Sequence, residues 1–301
     1  MSIKEIITLS FRDTVHNRKY VLLLWSTNAL LAFIISLPLY TIFTDNLAHS
    51  LLSAELAVRF DYFWYIQFRH LYRLSVEHYP AILYSVVAVY AFIQTFYLGG
   101  LISVFNNINK NHMSDFFYSG VKYWYRFTKV LFISAAFFAT AFIVNDLIGD
   151  LITLIFVNMD NVIADFVIRS LRYVFLIFII GLITIISDYT KVYLAIEDKL
   201  KVRNGIIIAV KFFIRNFRLV FIVFLIVSIL GAIGAIIYNI VENYVPRTPH
   251  YFLALSFILQ QMLIIFRLAI RMVFCSTEVN IYKDLSAQIA DAEIKIQKKE
   301  K

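Results

Sequence analysis

The sequence predicts an all-α polytopic membrane bundle. Six transmembrane helices form three hairpins repeated in the same direction, each opened by a short helix along the cytoplasmic interface. Three observations predict it. Six apolar stretches are each long enough to cross ~30 Å of hydrocarbon, which takes about 20 mainly apolar residues. Basic residues collect on one side of those stretches. A cationic, aromatic segment recurs in register ahead of the spans. The composition agrees, with 61% hydrophobic residues, 16% charged residues and a mean hydropathy of +0.76. Soluble domains carry about 25% charged residues.

The spans read as 20–43, 81–105, 128–149, 166–187, 217–240 and 251–275. Pro38 is expected to kink or end the first, because proline lacks a ladder N–H and its ring crowds the preceding turn. The external loop 44–80 follows. Its centre, Phe60-Asp61-Tyr62-Phe63-Trp64-Tyr65, predicts one or two surface helices between 54 and 74, since aromatic rings with interspersed arginines suit the headgroup region. The second span carries no charge from Ala81 to Phe105. The fifth carries none between Arg218 and Glu242, and its Ser228, Gly231, Ala232 and Ala235 make a small-residue stripe suited to close packing. Residues 1–275 form the transmembrane domain, and 276–301 a cytoplasmic helical tail. In that tail Tyr282, Leu285, Ile289, Ala292 and Ile296 form a heptad seam. The seam is too short to be stable alone, so 279–296 is a candidate surface for a protein partner or for the bundle itself.

Charge gives the orientation. Of 28 Lys and Arg, twenty-one lie in the N-terminal segment, the loops after the second and fourth spans, and the tail; six lie on the other side, and Arg267 is within the last span. The positive-inside rule places the richer side in the cytoplasm, with both termini. The net charge of +8 is thus a topology signal, and no nucleic-acid partner is needed to explain it. No cleavable signal is evident, so the first span is read as retained. Cys275 is the only cysteine, read as a small interfacial residue, with palmitoylation as the alternative.

Residues 116–134 align without gaps on 205–223. Gly120 falls on Ala209, Lys122 on Lys211, Arg126 on Arg215 and Lys129 on Arg218. A weaker third copy places Ser10 on Ala209, Arg12 on Lys211, Asn17 on Asn216 and Lys19 on Arg218. Lys122, Arg126 and Lys129 share one helical face, as do Lys211, Arg215 and Arg218. Segments 8–19, 113–127 and 202–216 are therefore expected to be interfacial helices, with cations toward anionic lipid. All copies face one way, unlike the inverted duplication of many transporters. On Gly120-x-Lys122-x-x-x-Arg126, Ala209-x-Lys211-x-x-x-Arg215 and the run from Lys191 to Lys199, residues 80–275 resemble a group of bacterial six-span proteins. That group includes the membrane domain found ahead of some glycerophosphodiester phosphodiesterases. The resemblance implies a bacterial inner membrane. It carries over no phosphodiesterase residues, since that soluble domain is not attached here.

Three polar constellations are candidate sites. Arg69 and Arg73, one turn apart in the external loop beside His70, suit a phosphate or carboxylate. Asp146 and Asp150 at the outer end of the third span face Arg169 and Arg172 at the start of the fourth, so intramembrane ion pairs are expected; they read as a structural clamp or as the mouth of an ion path. Ser256, Gln260, Arg267 and Arg271 form a polar stripe on the last span, an anion or lipid-headgroup site unless Asp188, Glu197 or Asp198 neutralises the arginines. Zinc spacing and clustered catalytic acids are not evident. The first functional reading is thus a non-enzymatic membrane protein without cofactor, permease-like or organising lipid or small solutes, with anionic lipids as partners. The alternative is an accessory or assembly subunit of a larger membrane complex. A membrane-embedded lipid-headgroup enzyme comes third.

Overall fold

The structure is a computed structural model that describes residues 1–47, 50, 52–56, 59–107, 112–156, 162–246, 248 and 251–299. Among the described residues there are ten helices and no strand. They are α1 (Ile3–His16), α2 (Arg18–Leu47), α3 (Ser53–Leu56), α4 (Tyr62–Leu71), α5 (Arg73–Asn106), α6 (Met113–Phe156), α7 (Val162–Ile196), α8 (Val202–Arg215), α9 (Phe217–Tyr244) and α10 (Tyr251–Lys299). The helices α2, α5, α6, α7, α9 and α10 are long and apolar enough to cross a membrane, and only 11–22% of their most apolar windows is buried inside the protein. An apolar surface that large is stable only in a hydrocarbon solvent, because in water it would drive association. The chain is an all-α, multi-pass membrane protein.

The cytoplasmic-side helices expected ahead of each hairpin are all helical, but not alike. In α1 and α8 the helix ends at an asparagine, Asn17 or Asn216, before the span begins. Each asparagine turns its Nδ2 back to the carbonyl four residues earlier, Asp13 at 2.8 Å and Phe212 at 3.0 Å. Side-chain bonds to local backbone compete with the helical ladder, which is how such residues end helices. The aligned residue in the middle copy is Phe127, buried and stacked on Tyr123 at 5.9 Å. With no competing side chain there, α6 runs through as one helix of 44 residues. The middle copy is therefore not a separate helix, contrary to the sequence expectation. The small residue at the aligned position is buried in all three copies: Ser10, Gly120 and Ala209.

Pro38 does not end α2, which continues nine residues past it to Leu47. The Tyr79 hydroxyl donates to the Ile35 carbonyl at 3.5 Å, close to the carbonyl that the proline leaves without its ladder partner.

The described chain forms two compact units. The first comprises Met1–Thr8, Thr95–Phe224 and Cys275–Lys301. Here α6 and α7 form a hairpin, and α8 packs back on α7 with Gly205 against Leu194 and Phe212 against the rings of Tyr189 and Tyr193. Phe116, Phe127, Val192, Leu194 and Ile281 are fully enclosed. No helix end marks the boundary expected at 275/276. Cys275, Ser276, Thr277 and Val279 are all buried, so Cys275 packs inside the protein. The second unit comprises Leu9–Gln94 and Leu225–Phe274. In it α9 approaches α10 closely: a Cβ at Gly234 would meet the Phe266 ring at 2.1 Å, and one at Gly231 would meet Ile270 at 3.4 Å. The packing stripe of α9 runs through Val227, Gly231 and Gly234, while Ala232 and Ala235 are exposed. Half of the expected small-residue stripe is therefore on the wrong side.

Candidate functional site

A cavity lies in the second unit, between the far ends of α2 and α5 and the short helices α3 and α4. Asp61 fixes the start of α4: its Oδ1 accepts from the N–H groups of Phe63 and Trp64 at 2.8 and 3.1 Å, which satisfies two of the four orphan donors of a helix start. From that start, Trp64 and Phe68 fall at i and i+4 and share a face. Both stack on Phe43 of α2, at centroid distances of 6.1 and 5.2 Å, and on each other at 5.0 Å. The resulting cleft has a volume of about 650 Å³ and nearly all of its wall is apolar. Leu39 and Ile42 line it from α2, Leu56 from α3, Phe60 from the segment ahead of α4, and Val76, Tyr79 and Pro80 from α5. Its size falls within the ~300–1,000 Å³ of small-molecule sites, and among the described residues Ser53, Trp64, Tyr65 and Tyr79 are the lining residues with polar side-chain atoms. A hydrocarbon chain is the chemistry such walls admit.

Arg69 and Arg73 do not share one helix. The helix breaks at Tyr72, placing Arg69 in the last turn of α4 and Arg73 at the start of α5. Both are exposed, and Arg73 Nε donates to Glu77 Oε1 at 2.8 Å. Arg69 and His70 lie in the last turn of α4, where positive charge complements the helix dipole.

The expected Asp–Arg clamp is not formed either. Arg169 pairs within its own helix with Asp165 at 2.7 Å and reaches Thr153 Oγ1 at 3.4 Å. The Arg172 guanidinium donates to the Asn145 carbonyl at 3.4 Å and to the Tyr173 hydroxyl at 2.8 Å, and lies over the Tyr173 ring. It occupies the space that Gly149 leaves by lacking a side chain, where a Cβ would lie 1.5 Å from Arg172 Nη1. Asp146 accepts only a long bond from Asn145 Nδ2 at 3.5 Å. Spacing placed four charges at similar depth. It did not register that Asp165 is already one turn from Arg169, nor that Gly149 opens a slot for Arg172.

On the last span, Gln260, Arg267 and Arg271 are all exposed, and Ser256 is partly so. The polar stripe thus faces outward, and the hydrogen bond to a neighbouring helix comes from the next residue, Gln261, whose Oε1 accepts from Trp25 Nε1 at 3.0 Å. The acids expected to neutralise the two arginines are engaged elsewhere. Asp188 pairs with Lys191 at 2.7 Å, Asp198 with Lys122 at 2.5 Å, and Glu197 accepts from the Tyr282 hydroxyl at 3.4 Å.

The repeated cations divide into two groups. Lys122 and Arg126 close the C-terminal end of α7. Lys122 pairs with Asp198, the Tyr123 hydroxyl donates to Asp198 at 3.2 Å, and Arg126 donates to the carbonyls of Leu194, at 3.4 Å, and Asp198. The hydrogen bond from Lys122 holds the Asp198 carboxyl below its ordinary value of 3.8. Cations at a helix C-terminus satisfy orphan carbonyls and complement the dipole. Lys283 of α10 does the same for α5, donating to Phe105 and Asn106 at 2.9 and 2.7 Å. In the copy that opens the third hairpin, Lys211, Arg215 and Arg218 are exposed, and α10 continues past this level to Lys299. Lys129 is exposed beside the Tyr125 ring.

The seam of the tail is partly spent inside the protein. Tyr282 packs edge-on against Tyr193 at 4.8 Å. Ile289, Ala292 and Ile296 have side chains outside the described residues. Among the described residues, no group of three His, Cys, Asp or Glu is placed to hold a metal ion. Comparison with family models, with curated proteins and with solved structures finds no match.

Proposed function

We propose that this chain is a non-enzymatic lipid-binding protein of a bacterial cytoplasmic membrane, with both termini in the cytoplasm, that holds and organises lipid rather than converting it. The observation that carries the reading is the aromatic cleft of about 650 Å³ formed by α2, α3, α4 and α5. In the orientation that the charge bias favours, the cleft opens at the outer leaflet, where the chain of a lipid can enter from the side. Its resemblance to the six-span bacterial group supports the choice of membrane. The test uses Trp64 as a reporter in a Trp25→Phe/Trp124→Phe variant in vesicles. Lipids brominated on the acyl chain should quench Trp64, and water-soluble iodide should not. Quenching by iodide with none from brominated chains would mean that the cleft is an aqueous pocket and would overturn the reading.

A second reading, an accessory subunit, is favoured by one feature: α10 continues unbroken for 49 residues to Lys299, roughly 70 Å at helical rise, more than a bilayer requires. Loss of a copurifying protein on truncation after Ala287 would support it.

A further inference from the structure

We infer that the first unit holds an anionic phospholipid of the terminal-side leaflet, with its acyl chain in a groove between α6, α7 and α8 and its phosphate against Arg203 and Lys211 of α8. The groove has a volume of about 250 Å³. Ile133 and Phe137 of α6, Ile183 and Ile186 of α7, and Ile206 and Val210 of α8 supply its apolar wall. It falls below the ~300–1,000 Å³ of ordinary ligand pockets, which suits a slender chain open along one side.

Three hydroxyls also line it: Ser134, Ser187 and Thr190. Ser134 and Thr190 donate to carbonyls of their own helices at 2.9 and 2.7 Å. Ser187 is only 8% exposed and makes no hydrogen bond among the described residues, so one polar group remains for an ester oxygen.

Charge decides the headgroup. Ile206 and Val210 face the groove, and Arg203 precedes them by three and seven residues, on the same stripe of α8. Lys211 follows Val210 directly. Both cations are exposed, as are Arg215 and Arg218, and none of them pairs with a described residue. Two acids of this unit are engaged elsewhere, Asp188 with Lys191 and Asp198 with Lys122. On the α6 side, Lys129, next to the groove-lining Val130, is also exposed. A basic helix over an apolar slot is the arrangement that anionic lipid surfaces recognise, and arginine adds bidentate contact to phosphate. Lys122 and Arg126 of the middle copy do not compete for lipid, because they cap α7.

This inference shares with the proposed function only the premise that the chain binds lipid. It concerns a different unit and a different leaflet. The test is native mass spectrometry of the full chain taken from nanodiscs of equal parts phosphatidylglycerol and phosphatidylcholine. Wild type should retain phosphatidylglycerol preferentially. Arg203→Gln/Lys211→Gln should lose that preference by roughly tenfold or more, since each cation near an anionic surface contributes a substantial part of the attraction. Val210→Trp, which fills the groove but keeps the cations, should lose retention of either lipid. Unchanged preference in the double glutamine variant would overturn the inference. So would displacement of the lipid by soluble glycerol phosphate, which would mean an anion site with no chain in the groove. Persisting Trp64 quenching in the double glutamine variant, made in the Trp25→Phe/Trp124→Phe background, would separate this failure from failure of the outer cleft.

Discussion

At the residue scale, the most informative contact is the closure of α7 by α6. Arg126 serves two backbone carbonyls, and Lys122 serves an exposed carboxylate. Hydrogen bonds from charged donors contribute ~1.5–3 kcal/mol, whereas exposed ion pairs contribute ~0–1 kcal/mol. Arg126→Gln should therefore lower thermal stability clearly, and Lys122→Gln barely, in detergent melts of the two variants. Equal losses would mean that the ion pair, not the capping, holds the end of α7. The pH dependence has a definite sign. Asp198 has a folded-state pKa below its ordinary 3.8, so its contribution is complete above that value and fades as the pH falls through the lowered one. Asp198→Asn should abolish that acid-range component and leave melts above pH 5 nearly parallel to wild type.

At the element scale, the sequence shows which helices exist and conceals how they face. The six spans follow from apolar length and the two short helices from the cationic, aromatic repeat, while their ends at Asn17 and Asn216 are legible only in the structure. The facing of α9 does not. Ser228, Gly231, Ala232 and Ala235 share a helical stripe in the sequence, yet Gly234 and Gly231 meet α10 while Ala232 and Ala235 are exposed. In a membrane the outward face is as apolar as the inward one, so composition cannot choose between two adjacent stripes. The same degeneracy explains Gln260, which faces out while Gln261 bonds Trp25. The expected clamp at Asp146 fails for another reason. Ion pairing depends on side-chain reach, and Asp165 at i−4 wins Arg169 before any residue of α6. Overpacking a close helix contact costs ~1–3 kcal/mol. Gly234→Ala, which drives a Cβ into the Phe266 ring, should therefore destabilise the protein by about that much, and Ala235→Leu should be nearly neutral. Thermal melts of both variants check this; the reverse order would restore the original stripe.

At the scale of the whole molecule, the positive-inside orientation and lipid occupancy carry the functional account. A cysteine at Asn46 in a Cys275→Ser background should react with an impermeant thiol reagent from outside intact cells, and one at Gln297 should not. Inverted labelling would place the aromatic cleft in the cytoplasmic leaflet and exchange the leaflets assigned to the two lipid sites. The central claim is that the aromatic cleft holds a lipid chain. The most direct test is an electron cryomicroscopy map of the full chain in nanodiscs formed from its own membrane. The account predicts continuous, elongated non-protein density between α2, α4 and α5, bordered by Phe43, Trp64 and Phe68. A cleft that has closed on itself, or that holds only discrete water-sized peaks, would contradict it.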